Sequence, residues 1–432
     1  MERLIGVVRD YAWGDRRFIA ELQGRPPGGG PEAELWLGDH PSAPSPIPER
    51  GVTLDRLVAD DPVATLGPGV ANRYGAVPYL LKVLAAAEPL SIQAHPSAEQ
   101  ARAGFAREEA AGIPGDAPER TYRDPNPKPE VIAALTDFEA KCGFRPLADT
   151  ARLLAALAGA TAGADSTGAG TGPAGPTLTI ADLAARCRTG AAGGADAGRQ
   201  AARSLVADVL GLDPVAAKTL VAATVAAAEH LIATGLPPAL EIFRPELAWT
   251  PRLDAFYPGD PGVVVALLLN HVTLRPGQAM FLPAGNLHAY LVGAGVELMA
   301  NSDNVVRGGL TPKHVDVAEL VTVLDPGDGP APVQTPTGPV HRYHLPIPEF
   351  SLTRLAVDRA DRLDHLVRHD GIDLLLVTAG TVRLTVEPER RGSGAGGEMV
   401  LAAGETAVVW WSDGPYRIRA DGPAMAWRAS SG

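Results

Sequence analysis

Two imidazoles, one carboxylate and one amide oxygen stand where they could share a single ion. In Pro89-Leu-Ser-Ile-Gln-Ala-His-Pro96, strand alternation puts Ser91, Gln93 and His95 on one face and Leu90, Ile92 and Ala94 on the other, and Pro96 ends the strand. In Asn286-Leu-His-Ala-Tyr-Leu291, which follows a tight turn at Pro283 and Gly285, the same period groups Asn286, His288 and Tyr290. Glu130 follows prolines at 125, 127 and 129, which hold the chain extended so that Lys128 and Glu130 project to one side. Taken singly, a solvated strand face, a structural histidine and a surface ion pair explain these residues equally well. Taken together, Gln93, His95, Glu130 and His288 form an N/O shell suited to zinc. With so few anionic ligands the ion keeps positive charge and can polarise a carbonyl or hydroxyl oxygen.

Cations lie close to this set. The formal charge is -12 and the pI about 5.3, which argues against nucleic acid or an anionic membrane as the main partner. An acidic chain that binds a phosphorylated substrate needs a local cationic pocket, and Arg307, Lys313 and Lys128 supply one. The turn Ser302-Asp303-Asn304 is expected to hold Arg307 by side-chain hydrogen bonds. Glu297 shares a strand face with Met299 and Asn301 and is a candidate base. Glu34, Trp36 and Gly38 also share a face, which suits either a pocket or a core aromatic beside a solvated acid.

The elements that must position these residues can be read in order. A chain of 432 residues needs two or three domains, and 46% hydrophobic with 20% charged residues is a soluble globular composition. Cys142 and Cys187 are the only cysteines, too few for a disulfide framework or a thiolate zinc site. The N-terminal MERLIGVVRDYAWG has no apolar h-region, and the longest aliphatic run, residues 263–269, is too short to span a bilayer, so a cytoplasmic protein is expected. Residues 1–90 read as short strands and turns, and 97–129 as a mobile, proline-rich connection. A helical pattern runs from about 150 to 250, including a helix capped by Asp213-Pro214 and ending near Gly235. Within it, the small-residue tracts 159–177 and 189–198 read as flexible loops. Strand signals resume at 262–270, a linker occupies 326–339, and short strands follow at 372–378, 382–386, 407–411 and 416–419.

Residues 401–410 also echo 274–283, and on that register Pro415 falls opposite His288. The expected fold is therefore mainly β with a helical insert. A first, discontinuous β-barrel unit (1–150 and 251–325) carries the site. A helical insert spans 151–250, and a second unit (340–432) lacks metal ligands.

These stretches resemble a known family. YAWG, AELWLGDHPSAPS, PLSIQAHPS, DPNPKPE, FLPAGNLHAYL and ELMANSDNVVRGGLTPKH, spread in order from residue 11 to 314, resemble the zinc-dependent type I mannose-6-phosphate isomerases (phosphomannose isomerases) of the cupin superfamily. The resemblance implies two cupin-type jelly-roll barrels. It also implies one zinc on Gln93, His95, Glu130 and His288, with Arg307 catalytic. Lys128, Tyr290, Glu297 and Trp13 would line the pocket, and Lys313 and Ser91 would contact phosphate. The implied reaction is aldose-ketose interconversion of mannose 6-phosphate and fructose 6-phosphate through a cis-enediol, by a monomer that supplies mannose units for GDP-mannose. Pro127 stands where many relatives carry histidine. A cupin oxygenase holding iron would not need the Arg/Lys cluster, and a non-catalytic sugar-phosphate sensor would not need every ligand position filled.

Overall fold

The computed structural model describes residues 1–164, 178–327, 329, 331–358, 362–387 and 397–431. An eleven-stranded sheet is built around His288–Ala300, thirteen residues long. This strand pairs antiparallel with Tyr79–Ala86, Gln93–Ala94, Glu130–Ala134 and Phe138–Phe144. Every residue of Tyr79–Ala86 is buried, so both faces of the sheet are covered there.

The central strand changes phase part-way along. Its register with Phe138–Phe144 slips between Tyr290 and Val292, and Gly293 follows with φ of 117°. Before the slip, Leu287, Ala289 and Leu291 pack into the helical core. After it, Ala294, Val296, Leu298 and Ala300 pack against residues such as Leu352, Leu374 and Trp427 of the C-terminal sheet. An extra residue in one strand inverts which parity faces inward. That inversion brings Glu297, an odd position, to the same side as His288 and Tyr290.

Several expectations need correction. Residues 262–270 do not form a continuous strand: Gly262–Val265 is a helical turn, Ala266–Leu268 a 3-10 turn, and only then does the strand Leu269–Leu274 begin. This aliphatic run is buried on all sides and so carries no periodicity to separate helix from strand. The stretch 97–129 contains the helix Ala98–Ala110, opened by a capping box between Ser97 and Gln100. Residues 1–90 include four short helices, Phe18–Leu22, Leu54–Asp60, Pro62–Leu66 and Pro68–Tyr74. The tract 189–198 is helical, within Ile180–Ala192 and Gly194–Leu210. Its small residues serve close packing, since a Cβ on Gly190 would meet the Ala201 methyl at 2.6 Å. The first tract opens inside the helix Leu147–Ala164, and its residues 165–177 lie outside the described residues.

Pro214–Thr234 forms as expected, with the Asp213 carboxylate accepting from the N–H groups of Val215 and Ala216. Among the described residues it is the one helix long and apolar enough to cross a membrane, and its Leu220, Val221, Ala227 and Ala228 pack into the helical core. The expected tail strands appear as Asp373–Ala379, Thr381–Val386, Thr406–Val409 and Tyr416–Ala420, in a six-stranded and a four-stranded sheet. The echo has a local counterpart, because Gly277 and Gly404, aligned by it, sit at φ of 85° and 82° in strand-to-strand turns. Two segments cross the expected boundaries: Glu2–Leu4 pairs with Thr406–Val409, and Val333–Gln334, from the expected linker, adds an edge to the large sheet.

Where the helices meet the large sheet, a polar cluster is buried. Lys141 is 1% exposed and its ammonium has no hydrogen-bond partner. Around it stand Glu246, paired with Arg145 at 2.6 Å, and His271, which lies 3.1 Å from Glu139. Burial pulls the Lys141 ammonium down to about 7, against the pull of Glu246 and with Arg145 adding to the shift.

Two outcomes follow from these features. Alanine at position 293 would place its Cβ 2.5 Å from the Asp137 carbonyl oxygen, in backbone that disfavours side chains. Gly293→Ala should therefore destabilise by about 2–4 kcal/mol in denaturant unfolding. Because the folded pKa of Lys141 lies below its ordinary value, the penalty for burying it is full below about pH 7 and fades as pH rises toward the unfolded value. Lys141→Met should raise the unfolding free energy at pH 6 by on the order of a few kcal/mol, and the melting temperature with it. Scanning calorimetry should show that gain shrinking steadily as pH rises above 7.

Candidate metal centre and anion pocket

His95, Glu130 and His288 converge from three strands or strand ends. Their donor atoms lie within 4.8 Å of one another, and among the described residues this is the one such group of His, Cys, Asp or Glu. His95 Nε2 is 3.3 Å from Glu130 Oε1, and His288 Nε2 is 3.6 Å from Glu130 Oε2. The Nδ1–H of His95 donates to the Asn304 carbonyl at 2.8 Å, and that of His288 to the Asn286 carbonyl at 3.0 Å. A carbonyl only accepts, so each ring carries a proton on Nδ1, and a lone pair on Nε2 would face Glu130. Burial pulls the His95 imidazole down to about 4, so it is neutral near pH 7. Burial would raise the Glu130 carboxyl, but His95 and Lys128 outweigh it and hold the group well below its ordinary value. His95 Nε2, Glu130 Oε2 and His288 Nε2 are all buried without a hydrogen-bond partner. Lone-pair donors facing one another where solvent is largely shut out repel unless a cation lies between them, and the residues present fit a divalent metal. Gln93 pairs in register with His288 on one side and Arg307 on the other, and it lines the adjoining cavity.

That cavity measures about 490 Å³. Its lining includes Trp13, Ser91, Gln93, Lys128, Glu130, Tyr290, Glu297, Arg307 and Lys313, so all the sequence-derived residues except the two histidines reach its surface. Lys128 is not a surface partner of Glu130; both are buried, 3.3 Å apart. Glu34 and Trp36 line the pocket together, with the indole N–H donating to the Glu34 carboxylate at 2.7 Å.

Sequence reasoning missed Lys82. It sits mid-strand in YLLKVLAA, level with Glu297 on one side and Trp36 on the other. Its ammonium lies 3.4 Å from Glu34, 3.3 Å from Glu297 and 4.9 Å from the Trp36 ring centre. Burial lowers its pKa, but Glu34, Glu297 and Glu130 overcome this and keep it protonated. A lone charge at the centre of an apolar strand was the available signal. Glu297 shows the converse: burial, with Glu130 and Glu34 adding and Lys82 opposing, lifts its carboxyl to about 7.

Also on the cavity wall, Arg307 and Lys313 form no ion pair among the described residues. Burial lowers the Lys313 ammonium, and the charges of Arg307 and Arg123 add to the effect. Unpaired cations gathered in an acidic protein make an anion site. The turn Ser302-Asp303-Asn304 does not hold Arg307, contrary to expectation. Its hydrogen bonds run instead to the 123–126 loop and to His95.

Residues 1–147 match the family model described as phosphomannose isomerase type I, catalytic domain. The chain is 36% identical over 432 residues to the mannose-6-phosphate isomerase of Escherichia coli (strain K12), with 98% of each chain covered. It is 32% identical over 393 residues to that of Rattus norvegicus, covering 88% of this chain and 86% of the other. Two similar solved structures are the apo mannose 6-phosphate isomerase from Salmonella typhimurium (TM-score 0.81, 32% identity) and a zinc-bound holo form of mannose 6-phosphate isomerase (TM-score 0.80, 31% identity). Each alignment covers 100% of this chain and 99% of the other.

Proposed function

The chain belongs to the mannose-6-phosphate isomerase family, and we propose that it interconverts mannose 6-phosphate and fructose 6-phosphate in the cavity described above. The observation that carries this reading is the convergence of three buried, unpartnered donor atoms beside a cavity whose lining includes both a carboxylate poised near neutrality and unpaired cations. His95, Glu130 and His288, with Gln93, would hold zinc, which when bound supplies a Lewis acid for a substrate oxygen.

The chain's own groups do the rest. Lys313 and Ser91 take the phosphate, and Trp13, Tyr290 and Lys128 confine the sugar. Glu297 removes the proton from C2 of the open-chain aldose, the O2 hydroxyl passes its hydrogen to the neighbouring O1 across the cis-enediol, and Glu297 returns its proton to C1, so that O1 becomes the hydroxyl and the carbonyl moves from C1 to C2. Lys82 balances the carboxylates on either side of it. Arg307 stabilises the negative charge that develops on oxygen. An oxygenase reading leaves the cavity's Arg/Lys cluster without a role.

For the architecture, we read the large sheet as one jelly roll and the two C-terminal sheets as a second without metal ligands. The helices from 147 to 256 form the insert. A cytosolic monomer fits the acidic composition and the two buried free thiols.

Purified protein should isomerise mannose 6-phosphate, lose activity on chelation and regain it with zinc, in an assay that follows fructose 6-phosphate. Metal-replete protein without turnover would sink the assignment. Arg307→Ala should lower kcat at least ~100-fold. A base must be deprotonated to act, so kcat/KM should rise with pH through a midpoint near 7, the value to which Glu297 is lifted. Glu297→Gln should cut kcat on the order of 100-fold or more and abolish that rising limb while zinc content stays unchanged; full kcat in this variant would remove Glu297 as the base.

A further inference from the structure

Asn304 is fully buried, and its polar groups are shared between two places. Its backbone carbonyl accepts the Nδ1–H of His95 at 2.8 Å. Its side-chain oxygen accepts the backbone N–H groups of Arg123 and Asp124, at 2.7 and 3.3 Å. Its side-chain nitrogen donates to the backbone carbonyls of Asp124 and Asn126, at 2.8 and 2.9 Å. Neighbours reinforce the clamp: the Asp303 N–H donates to the Asp124 carboxylate at 2.8 Å, and the Ser302 hydroxyl to the Asn126 carbonyl at 3.3 Å. The clamped loop leads through Pro127 directly into Lys128 and Glu130. Asn304 itself does not line the cavity.

We propose that Asn304 is a positioning residue that couples occupancy of the metal centre to the order of the 123–126 loop. A ligated His95 has a fixed ring, and its Nδ1–H then fixes the Asn304 carbonyl. The rigid amide passes that constraint to the loop backbone. This loop sets the approach of Lys128 and Glu130, so the metal centre and one wall of the sugar-phosphate cavity are ordered together. Coupling of this kind is reciprocal, so an ordered loop also strengthens metal binding. The inference rests on the reading that the three donors hold zinc, but not on the isomerase reaction.

Asn304→Asp keeps the size and the acceptor oxygen, and it replaces the two N–H donors with an oxygen that repels the Asp124 and Asn126 carbonyls. In the unaltered protein, zinc should slow hydrogen exchange at the amides of Arg123, Asp124 and Asn126. In Asn304→Asp that protection should disappear. The zinc dissociation constant, read by competition with a chromogenic chelator, should weaken ~10-fold or more. Asn304→Ala should behave alike where it folds; the aspartate variant carries the test where it does not. A purely structural role would lower the melting temperature of metal-free and zinc-loaded protein equally and leave both readouts in place. The proposal is overturned by equal loop exchange with and without zinc in the unaltered protein, or by variants that keep both zinc affinity and zinc-dependent protection. Neither readout uses a sugar phosphate, so a protein inert toward mannose 6-phosphate would end the isomerase reading and leave this one standing.

Discussion

The site depends on one electrostatic constraint: charge has been placed on side chains of a sheet that are almost wholly shielded from solvent. Glu34, Glu297 and Glu130 are carboxylates in the interior, and Lys82 and Lys128 are the ammonium groups set between and beside them. An isolated buried charge costs far more than a fold can tolerate, so each group persists only because its neighbours oppose it. The arrangement is incomplete around Glu130, where both imidazoles turn lone pairs inward. A cation completes it, while burial, with Glu130 and Glu34 adding, lifts Glu297 toward neutrality. Glu130 thus belongs both to the donor cluster and to the charges that raise Glu297.

That arrangement could not be assembled on a strand of constant phase. His288 and Glu297 differ in parity, and a regular strand would turn one of them into the helices or the C-terminal sheet. The slip near Gly293 lets a single strand turn both groups to the same side, His288 into the buried donor cluster and Glu297 onto the wall of the adjoining cavity. It also lets the strand cover two different cores with its other face, the helical one before the slip and the C-terminal one after it.

Much of this was legible in the sequence, for identifiable reasons. Ser91, Gln93 and His95, and again His288 and Tyr290, could be grouped because alternation is a local property, and ordered motifs tied the groups together. Lys82 was not legible as a site residue, because its meaning lies in Glu34 and Glu297, which the sheet brings level from distant parts of the chain. The turn 302–304 was read as a local support for Arg307, since side-chain hydrogen bonds of turns are usually short-range. Its partners are instead across the fold, at 123–126. The stretch 262–268 misled through uniform burial, and 189–198 through a composition that serves tight helix contact as readily as looseness.

The pairing of Glu2 with Val408 bears on how the molecule is made. A strand drawn from the first residues of the chain finds its neighbour only after about four hundred more have been joined to it. During synthesis this segment must wait unpaired while the large sheet can already assemble. The closure entropy for so long a loop grows only slowly with length, but the contact adds to a high mean sequence separation and slows the final step. The last cooperative event in folding would then be the sealing of the C-terminal sheet by its most distant strand, with the cavity of the large sheet already shaped.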